Sequence, residues 1–233
     1  MNIIITGASK GIGRAIAVLM ASKGYHLALC ARNYDDLLQL KNELQLRYPN
    51  IKIYIQAVDC AKKVDVLSFA AEAVQYFGNI DVLVNNAGVF KPANILDEAD
   101  DALQQHIDVN LYAPYYLYKT VGKLMRDRKA GTIINICSVA SKEIIVGAGS
   151  YCVTKSALLS LNHIMREELK AHDVKVTAIL PGSTFTSSWE GVEIPQEEFV
   201  QAEDIAATVN SVLMMSKGAN VDEITVRPLH GQI

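Results

Sequence analysis

The 233-residue sequence is short of the features that mark membrane, secreted or nucleic-acid-binding proteins. It has no run of 18 apolar residues, so we expect no membrane-spanning helix and no membrane partner. Its net charge is only −3 at pH 7, which gives no basic surface for nucleic acid. The first residues show no basic segment followed by a cleavage site. We therefore expect no secretory signal and a cytoplasmic location.

Cysteine and histidine are few and widely spaced. No two cysteines have CxxC spacing, so we interpret all four as small buried side chains in a reducing compartment: Cys30, Cys60, Cys137 and Cys152. The histidines also lack the spacing of metal ligands, and the sequence predicts no metal site: they are His26, His106, His163, His172 and His230.

What the sequence does contain is a regular alternation of apolar runs and helical patterns. Strands are predicted at 2–6, 26–31, 51–58, 80–85, 131–138, 174–180 and 222–227. Helices are predicted at 11–23, 34–48, 62–77, 101–128, 150–172 and 203–215. The strands are apolar throughout, as in a parallel sheet buried on both faces. The alternation predicts an α/β fold in one domain over 1–233: a doubly wound (Rossmann) parallel sheet of about seven strands with helices on both faces.

Ligands of such a sheet bind beyond the carboxyl ends of its strands. The first strand is followed by a glycine-rich turn with GxxxGxG spacing. Glycine permits the tight turn and lets the backbone approach a pyrophosphate at the helix N-terminus, although any strand-to-helix corner can use glycine. The candidate ligands in this turn are Gly7, Ser9, Lys10, Gly11, Ile12 and Gly13.

The second strand lacks the acidic residue that would bind the ribose 2′-hydroxyl of NAD. It ends in Ala31 and is followed by Arg32. Arg32 and Lys10 could together hold the 2′-phosphate of NADP. The alternative is that Arg32 is an ordinary surface arginine in a loop.

Polar or small residues also follow the later strands. Asp59 could contact an adenine amino group or cap the next helix. The segment Asn85-Asn86-Ala87-Gly88 could let a flat cofactor lie against backbone, or could be a simple turn. Asn110 is a poor helix former inside a predicted helix, so it is either exposed or turns a carbonyl toward a water. His106 lies four residues earlier and could touch the substrate side.

Tyr151 and Lys155 stand at i and i+4 if a helix begins near Ser150. A tyrosine with its ordinary pKa of about 10 exchanges its proton poorly near neutrality. A neighbouring ammonium favours the phenolate, and a second positive charge, such as an oxidised nicotinamide, would help. The pair therefore indicates proton transfer beside a cofactor. The alternative is a solvated helix face, on which such pairs are common.

Several short motifs occur together in order, and they carry a resemblance to a known family. They are TGASKGIG at 6–13, NNAG at 85–88, Asn110, Ser138, Tyr151-x-x-x-Lys155 and PG at 181–182. On these motifs the sequence is identified as a member of the short-chain dehydrogenase/reductase family over essentially its full length. Within that family it is similar to 3-oxoacyl-[acyl-carrier-protein] reductases.

The resemblance implies a role for each motif residue. Tyr151 would be the general acid in reduction and the general base in oxidation, and Lys155 would favour its ionised form and hold the nicotinamide ribose. Ser138 would hydrogen-bond the substrate carbonyl, and Asn110 would hold a water that links Lys155 to solvent. The implied cofactor is NADP(H), in contact with Gly7, Ser9, Lys10, Gly11, Ile12, Gly13, Arg32, Asp59, Asn86, Ala87, Gly88, Tyr151, Lys155, Pro181, Gly182, Thr184 and Thr186.

Three functions remain open at this stage. The first is NADPH-dependent reduction of a small or acyl-linked ketone, for example a 3-oxoacyl thioester. The second is NADP-dependent oxidation of a sugar, polyol or other small alcohol. The third is a non-catalytic NADP-binding regulator, which would not need the complete set of proton-relay residues. The expected partners are a small-molecule carbonyl or alcohol and further copies of the chain, as a homodimer or homotetramer through the helices at 101–128 and 150–172.

Two regions depart from the family pattern. The substrate loop at about 183–201 is short, and the tail lacks the Gly-Gly that follows the last strand in many relatives. We expect the loop to be mobile and to close over the nicotinamide. Its apolar residues could line the substrate site, or Trp189 could simply anchor the loop to the core: they are Phe185, Trp189, Ile194 and Phe199.

Overall fold

The computed structural model of the protein describes residues 1–186 and 193–231. Its centre is a sheet of seven parallel strands in the order β3-β2-β1-β4-β5-β6-β7, which confirms the predicted doubly wound fold. The strands are β1 (Asn2–Thr6), β2 (His26–Ala31), β3 (Ile53–Ala57), β4 (Val82–Asn85), β5 (Gly131–Ile136), β6 (Val174–Pro181) and β7 (Glu223–Val226).

Helices cover both faces of the sheet because side chains alternate along each strand. In β1, Ile3 and Ile5 join the apolar cluster on one face, and Ile4 joins the cluster on the other. The main helices are α1 (Gly11–Ser22), α2 (Tyr34–Arg47), α3 (Lys63–Phe77), α4 (Ala102–Ile107), α5 (Ala113–Leu117), α6 (Lys123–Arg128), α7 (Gly149–Lys170) and α8 (Ala202–Leu213). Among the described residues, no helix is both long enough and apolar enough to cross a bilayer.

The predicted helix at 101–128 is an uninterrupted but irregular helix over residues 102–128. Two π-helical turns, Asp108–Tyr112 and Tyr118–Gly122, join α4 to α5 and α5 to α6. A π turn inserts an extra residue into the helical repeat, and such turns are frequent at functional sites. The first of them contains Asn110.

The strand predicted at 131–138 ends at Ile136. Ser138 is therefore not a strand residue. It caps a 3₁₀ turn, Val139–Ser141, with its hydroxyl accepting from the Ala140 N–H at 3.1 Å. The reason is local: serine competes well for a free N–H at the start of a helical turn.

A buried polar network connects the sheet to the two helices behind it. The Asn135 amide on β5 donates to the Tyr118 hydroxyl at 2.6 Å and to Asn162 Oδ1 at 2.8 Å, and it accepts from Asn85 Nδ2 at 2.8 Å. All four side chains are almost fully buried. Buried hydrogen bonds have directional requirements, so this network sets how helix 102–128 and α7 sit against the sheet.

The sheet order places the point of reversal between β1 and β4. The chain moves outward from β1 to β2 and β3, then returns to the other side of β1 with β4. In this type of sheet the crevice at that point is where ligands bind. The carboxyl ends of β1 and β4 therefore define where the candidate site begins.

Candidate active site

The turn after β1 depends on glycine at three positions. Gly7 and Gly11 have φ of +64° and +53°, in the left-handed region. A Cβ on Gly13 would lie 2.2 Å from the Gly7 carbonyl oxygen, so α1 can approach the end of β1 only with glycine there. The turn leaves the N-terminus of α1 open toward the crevice, as pyrophosphate binding requires.

The ends of β1 and β4 are joined through two polar side chains. The Thr6 hydroxyl accepts from the backbone N–H groups of Asn86 at 3.0 Å and Ala87 at 2.9 Å. The Asn86 amide donates to the carbonyl oxygens of Thr6 at 2.8 Å and Gly7 at 3.1 Å. Asn86 was predicted from sequence, but Thr6 was not. Its position as the last residue of β1 was the signal that could have identified it.

A cavity of about 710 Å³ opens along the carboxyl edge of β1, β2, β3 and β4. Its size and its glycine-rich floor fit an extended dinucleotide, and three cationic residues line it: Lys10, Arg32 and Lys91. Eleven predicted residues line it: Gly7, Ser9, Lys10, Gly11, Ile12, Arg32, Asp59, Asn86, Ala87, Gly88 and Thr186.

The cationic end of the cavity is formed where β2 ends. Arg32 and Lys10 line the same space beside Ala31. Asn33 also lines this part of the cavity, and its side chain caps α2 by accepting from the N–H groups of Asp35 and Asp36. The wall also includes the Asp36 carboxylate, so the local charge is not purely positive.

Asp59 lines the cavity but does not cap a helix. Its Oδ1 accepts from the Ala61 N–H at 3.1 Å, which closes a short turn, and α3 begins later, after Lys62. The helix-cap alternative is therefore wrong for Asp59. The turn leaves part of the carboxylate at the cavity wall.

Six residues predicted to contact the cofactor are not among those that line this cavity: Gly13, Tyr151, Lys155, Pro181, Gly182 and Thr184. Gly13 is packed beneath the glycine turn, as described above. The Gly182 N–H donates to the Val226 carbonyl oxygen at 2.7 Å, next to Pro181 at the end of β6. The Thr184 side chain is buried and donates to the Gly182 carbonyl oxygen at 2.9 Å.

Tyr151 and Lys155 lie one turn apart on α7, as predicted. Lys155 is only 4% exposed, and its Nζ lies 5.7 Å from the centroid of the Tyr151 ring. The ammonium donates to the Ile136 carbonyl oxygen at 2.9 Å. A Cβ on Gly88 would lie 3.6 Å from Nζ, so Lys155 reaches the cavity wall beneath Gly88.

Asn110 is fully buried in the first π turn and is not exposed. Its Oδ1 accepts from the Val89 N–H at 2.8 Å, and its Nδ2 donates to the Val89 carbonyl oxygen at 3.1 Å and to Thr154 Oγ1 at 3.1 Å. The side chain thus ties the segment after β4 to α7. A Cβ on Gly88 would lie 3.4 Å from Asn110 Oδ1, so Asn110 and Lys155 both lie next to Gly88.

The turn that carries Ser138 is attached to α7. Ser156 Oγ donates to the Ser141 carbonyl oxygen at 3.0 Å, and Ser138 itself is nearly buried. Burial raises the pKa of the adjacent Cys137 thiol to about 12, so the thiol stays protonated at neutral pH.

Two aromatic neighbours of Tyr151 complete the site. Phe90 packs edge-on against the Tyr151 ring at a centroid distance of 4.9 Å, and His106 does so at 6.4 Å. His106 is buried; its Nε2 accepts from the Lys91 N–H at 3.3 Å, so its proton lies on Nδ1, toward the Ala102 carbonyl oxygen. The sequence indicated only that His106 could touch the substrate side. Phe90 was missed, because nothing in the local pattern distinguishes it from an ordinary loop residue.

The loop predicted at about 183–201 is closed at its base. Phe185 N–H donates to the Val200 carbonyl oxygen at 2.8 Å, and the Phe185 ring packs against Phe199 at 5.7 Å. Phe199 is buried, so its ring anchors the loop and does not line a substrate site. Trp189 lies outside the described residues.

Comparison with known proteins gives a consistent result. A profile of the family described as short chain dehydrogenase matches residues 1–196. An uncharacterized oxidoreductase of Staphylococcus aureus strain MRSA252 is 34% identical over 226 residues, covering 97% of this chain and 96% of the relative.

Solved structures extend the comparison to the fold. An alcohol dehydrogenase from the archaeon Thermococcus sibiricus, complexed with 5-hydroxy-NADP, has a TM-score of 0.91 and 28% identity and covers 100% of this chain and 98% of that chain. L-sorbose reductase from Gluconobacter frateurii, complexed with NADPH and L-sorbose, has a TM-score of 0.90 and 26% identity and covers 97% of this chain and 95% of that chain.

Proposed function

This chain belongs to the short-chain dehydrogenase family, and we propose that it reduces a ketone to an alcohol with NADPH. The observation that carries the proposal is the position of Lys155. Its buried ammonium lies beside the Tyr151 ring and reaches the wall of the dinucleotide-sized cavity beneath Gly88. Lys155 therefore lies between the candidate proton donor, Tyr151, and the part of the cavity where a nicotinamide would bind.

In the proposed reaction the chain's own residues orient the carbonyl and move the proton. NADPH supplies the hydride when it is bound. The Ser138 hydroxyl donates to the carbonyl oxygen and stabilises the charge that develops there. Tyr151 Oη transfers its proton to that oxygen, and the ammonium of Lys155 stabilises the phenolate that remains. Asn110 fixes the segment after β4 against α7, and we propose that it also holds the water that returns the proton.

The choice of NADPH rests on the cavity wall and on related proteins. Arg32 and Lys10 bring two cations to the end of β2, where Ala31 replaces the acid typical of NAD sites. The related alcohol dehydrogenase and L-sorbose reductase are complexed with an NADP derivative and with NADPH. These observations support NADP(H) as the cofactor.

Two classes of compound are candidates for the substrate. A 3-oxoacyl thioester is favoured by the motif resemblance alone. The second candidate function, interconversion of a sugar or polyol and its ketone, is favoured by the related L-sorbose reductase. A non-catalytic regulator is disfavoured, because a pure sensor does not need Asn110, Ser138, Tyr151 and Lys155 together.

The decisive test is turnover in a broad carbonyl screen with NADPH, followed by the loss of absorbance at the NADPH band. The panel contains 2-ketones, dihydroxyacetone, a ketose and a 3-oxoacyl thioester. We expect reduction of at least one class. If no carbonyl compound is reduced and no alcohol is oxidised with NADP, while NADP still binds, the regulator is the correct assignment.

We also predict that the protein is a homodimer or homotetramer. Helix 102–128 and α7 carry large apolar side chains that are about half exposed: Tyr112, Tyr115, Leu124, Val153 and Ile164. Tyrosine is favoured in protein interfaces, and Lys119 Nζ lies 5.7 Å from the Tyr115 ring, which extends this surface. Light scattering at micromolar concentration should give a dimer or tetramer mass, and Tyr115→Ser should lower it. A monomer of the unmodified protein would contradict the prediction.

A further inference from the structure

Two segments that flank the candidate proton donor lie side by side, and we call them the rim segments: residues 89–98 and 142–148. Ala93 and Ala148 form an isolated parallel bridge, and the Gly149 N–H donates to the Ala93 carbonyl oxygen at 3.1 Å. This contact joins the loop after β4 to the N-terminus of α7.

Two further contacts fix the rim segments in place. Ile95 lies over Gly149, where an added Cβ would come within 2.3 Å of Ile95 Cγ1, so the loop and the helix are in direct contact. The Ser150 hydroxyl donates to the carboxylate of Glu98. Ser150 directly precedes Tyr151, so the rim is attached immediately beside the candidate proton donor.

Several of the most exposed side chains of the rim segments are apolar. Phe90 is 48% exposed although its ring also packs on Tyr151. Leu96, Ile144 and Val146 are 96%, 89% and 88% exposed. Ile145, between the last two, packs inward with the apolar cluster that contains Tyr151.

The longer polar side chains of the rim segments already have partners. Each is hydrogen-bonded or ion-paired within the protein, so the hydroxyl groups of a sugar would have to compete with an existing partner. The pairs are Lys91 with Gln105, Asn94 with Asp97, Glu98 with Ser150, Lys142 with Glu223, and Glu143 with Arg227.

We infer that the substrate is a ketone that carries an apolar arm, and that Phe90 and the rim segments hold this arm. The inference rests on the proposed function. A carbonyl oxygen must lie within about 3 Å of Tyr151 Oη to receive its proton. The Phe90 ring touches the Tyr151 ring, so the carbons next to that carbonyl meet Phe90 first and then the aliphatic side chains of the rim.

The test compares ketones of increasing length with NADPH: 2-butanone, 2-hexanone, 2-octanone and dihydroxyacetone. We expect kcat/KM to rise by about two- to fourfold per added methylene, where fourfold corresponds to ~0.8 kcal/mol for full burial of one methylene. Dihydroxyacetone, with a hydroxyl on each flanking carbon, should be a poorer substrate than 2-butanone.

Variants test whether the dependence on chain length comes from the rim segments or from another part of the surface. The double variant Ile144→Ser with Val146→Ser should flatten the dependence of kcat/KM on chain length. Phe90→Leu should keep the dependence, and Phe90→Ser should weaken it, because only the former preserves an apolar surface. The matched control is Leu46→Ser, which alters an equally exposed leucine on α2 outside the rim.

A second measurement does not depend on turnover. Calorimetry with the free protein should give Kd values for 2-butanol, 2-hexanol and 2-octanol that fall along the series, and the rim double variant should abolish this fall. Turnover of several ketones with no dependence on length would overturn the inference alone and would assign the exposed rim to contact with another copy of the chain. No turnover of any carbonyl compound would overturn the proposed function, and the inference with it.

Discussion

Tyr151→Phe should lower kcat by about 10² to 10⁴-fold while leaving the Kd for NADPH nearly unchanged. General acid–base groups contribute rate factors of this size. The substitution keeps the ring, and with it the edge contacts to Phe90 and His106 and the position above Lys155, so only the proton donor is lost. The measurements are steady-state rates on the best ketone of the screen and fluorescence titration of NADPH.

A matched variant shows whether the loss comes from the hydroxyl at this position. Tyr76→Phe changes a half-exposed tyrosine on α3, away from the cavity. It should leave kcat and the Kd for NADPH unchanged. If Tyr151→Phe kept more than about a tenth of the normal rate, Tyr151 would not be the proton donor.

NADPH should be preferred over NADH by at least about tenfold in kcat/KM at low salt, and Arg32→Ala should remove most of that preference. One charge-assisted hydrogen bond contributes about 1.5–3 kcal/mol, which is roughly ten- to 150-fold in affinity. Arg32 and Lys10 both line the cavity near the end of β2, so a 2′-phosphate there would meet both. The variant should lose affinity for NADPH by about this factor and keep its affinity for NADH.

Salt and a second arginine provide the controls for this prediction. Raising the ionic strength should narrow the difference between the two cofactors, because the contact lies near solvent. Arg47→Ala alters an arginine at the C-terminal end of α2, where it is paired with Glu43. This variant should change neither the affinity for NADPH nor that for NADH. Equal use of NADPH and NADH by the unmodified protein, or equal losses in Arg32→Ala, would rule out the assigned role of Arg32.

Most of the fold could be predicted from the sequence because its signals are local and repeated. Apolar strands alternating with helices specify a parallel sheet, and every predicted strand and helix is present with ends shifted by a few residues. The irregular parts were not predictable in this way. The π turn at Asp108–Tyr112 is stabilised by contacts of Asn110 with Val89 and Thr154, which are distant in sequence.

The candidate site shows the same division. The glycine turn, Arg32 and the Tyr151–Lys155 pair were identified because each depends on residue type at a fixed spacing. Thr6 and Phe90 were missed because their importance comes from neighbours in space: Thr6 accepts from the backbone of the β4 loop, and Phe90 touches a ring sixty-one residues later. Thr184 was predicted to contact the cofactor, whereas its hydroxyl donates to the Gly182 carbonyl oxygen in its own loop.

The buried network around Asn135 has a consequence for how new specificities could evolve or be engineered. Through Asn162 it holds α7 from the core side, whereas the hydrogen bonds described above join the rim segments to the first turn of the same helix. Sequence changes in the rim segments can therefore alter which substrates bind, while α7, which carries Tyr151 and Lys155, keeps its position against the sheet. A mutational library confined to residues 89–98 and 142–148 should yield mostly folded, active members with altered ketone preference, and one centred on Asn135 should yield few folded members at all.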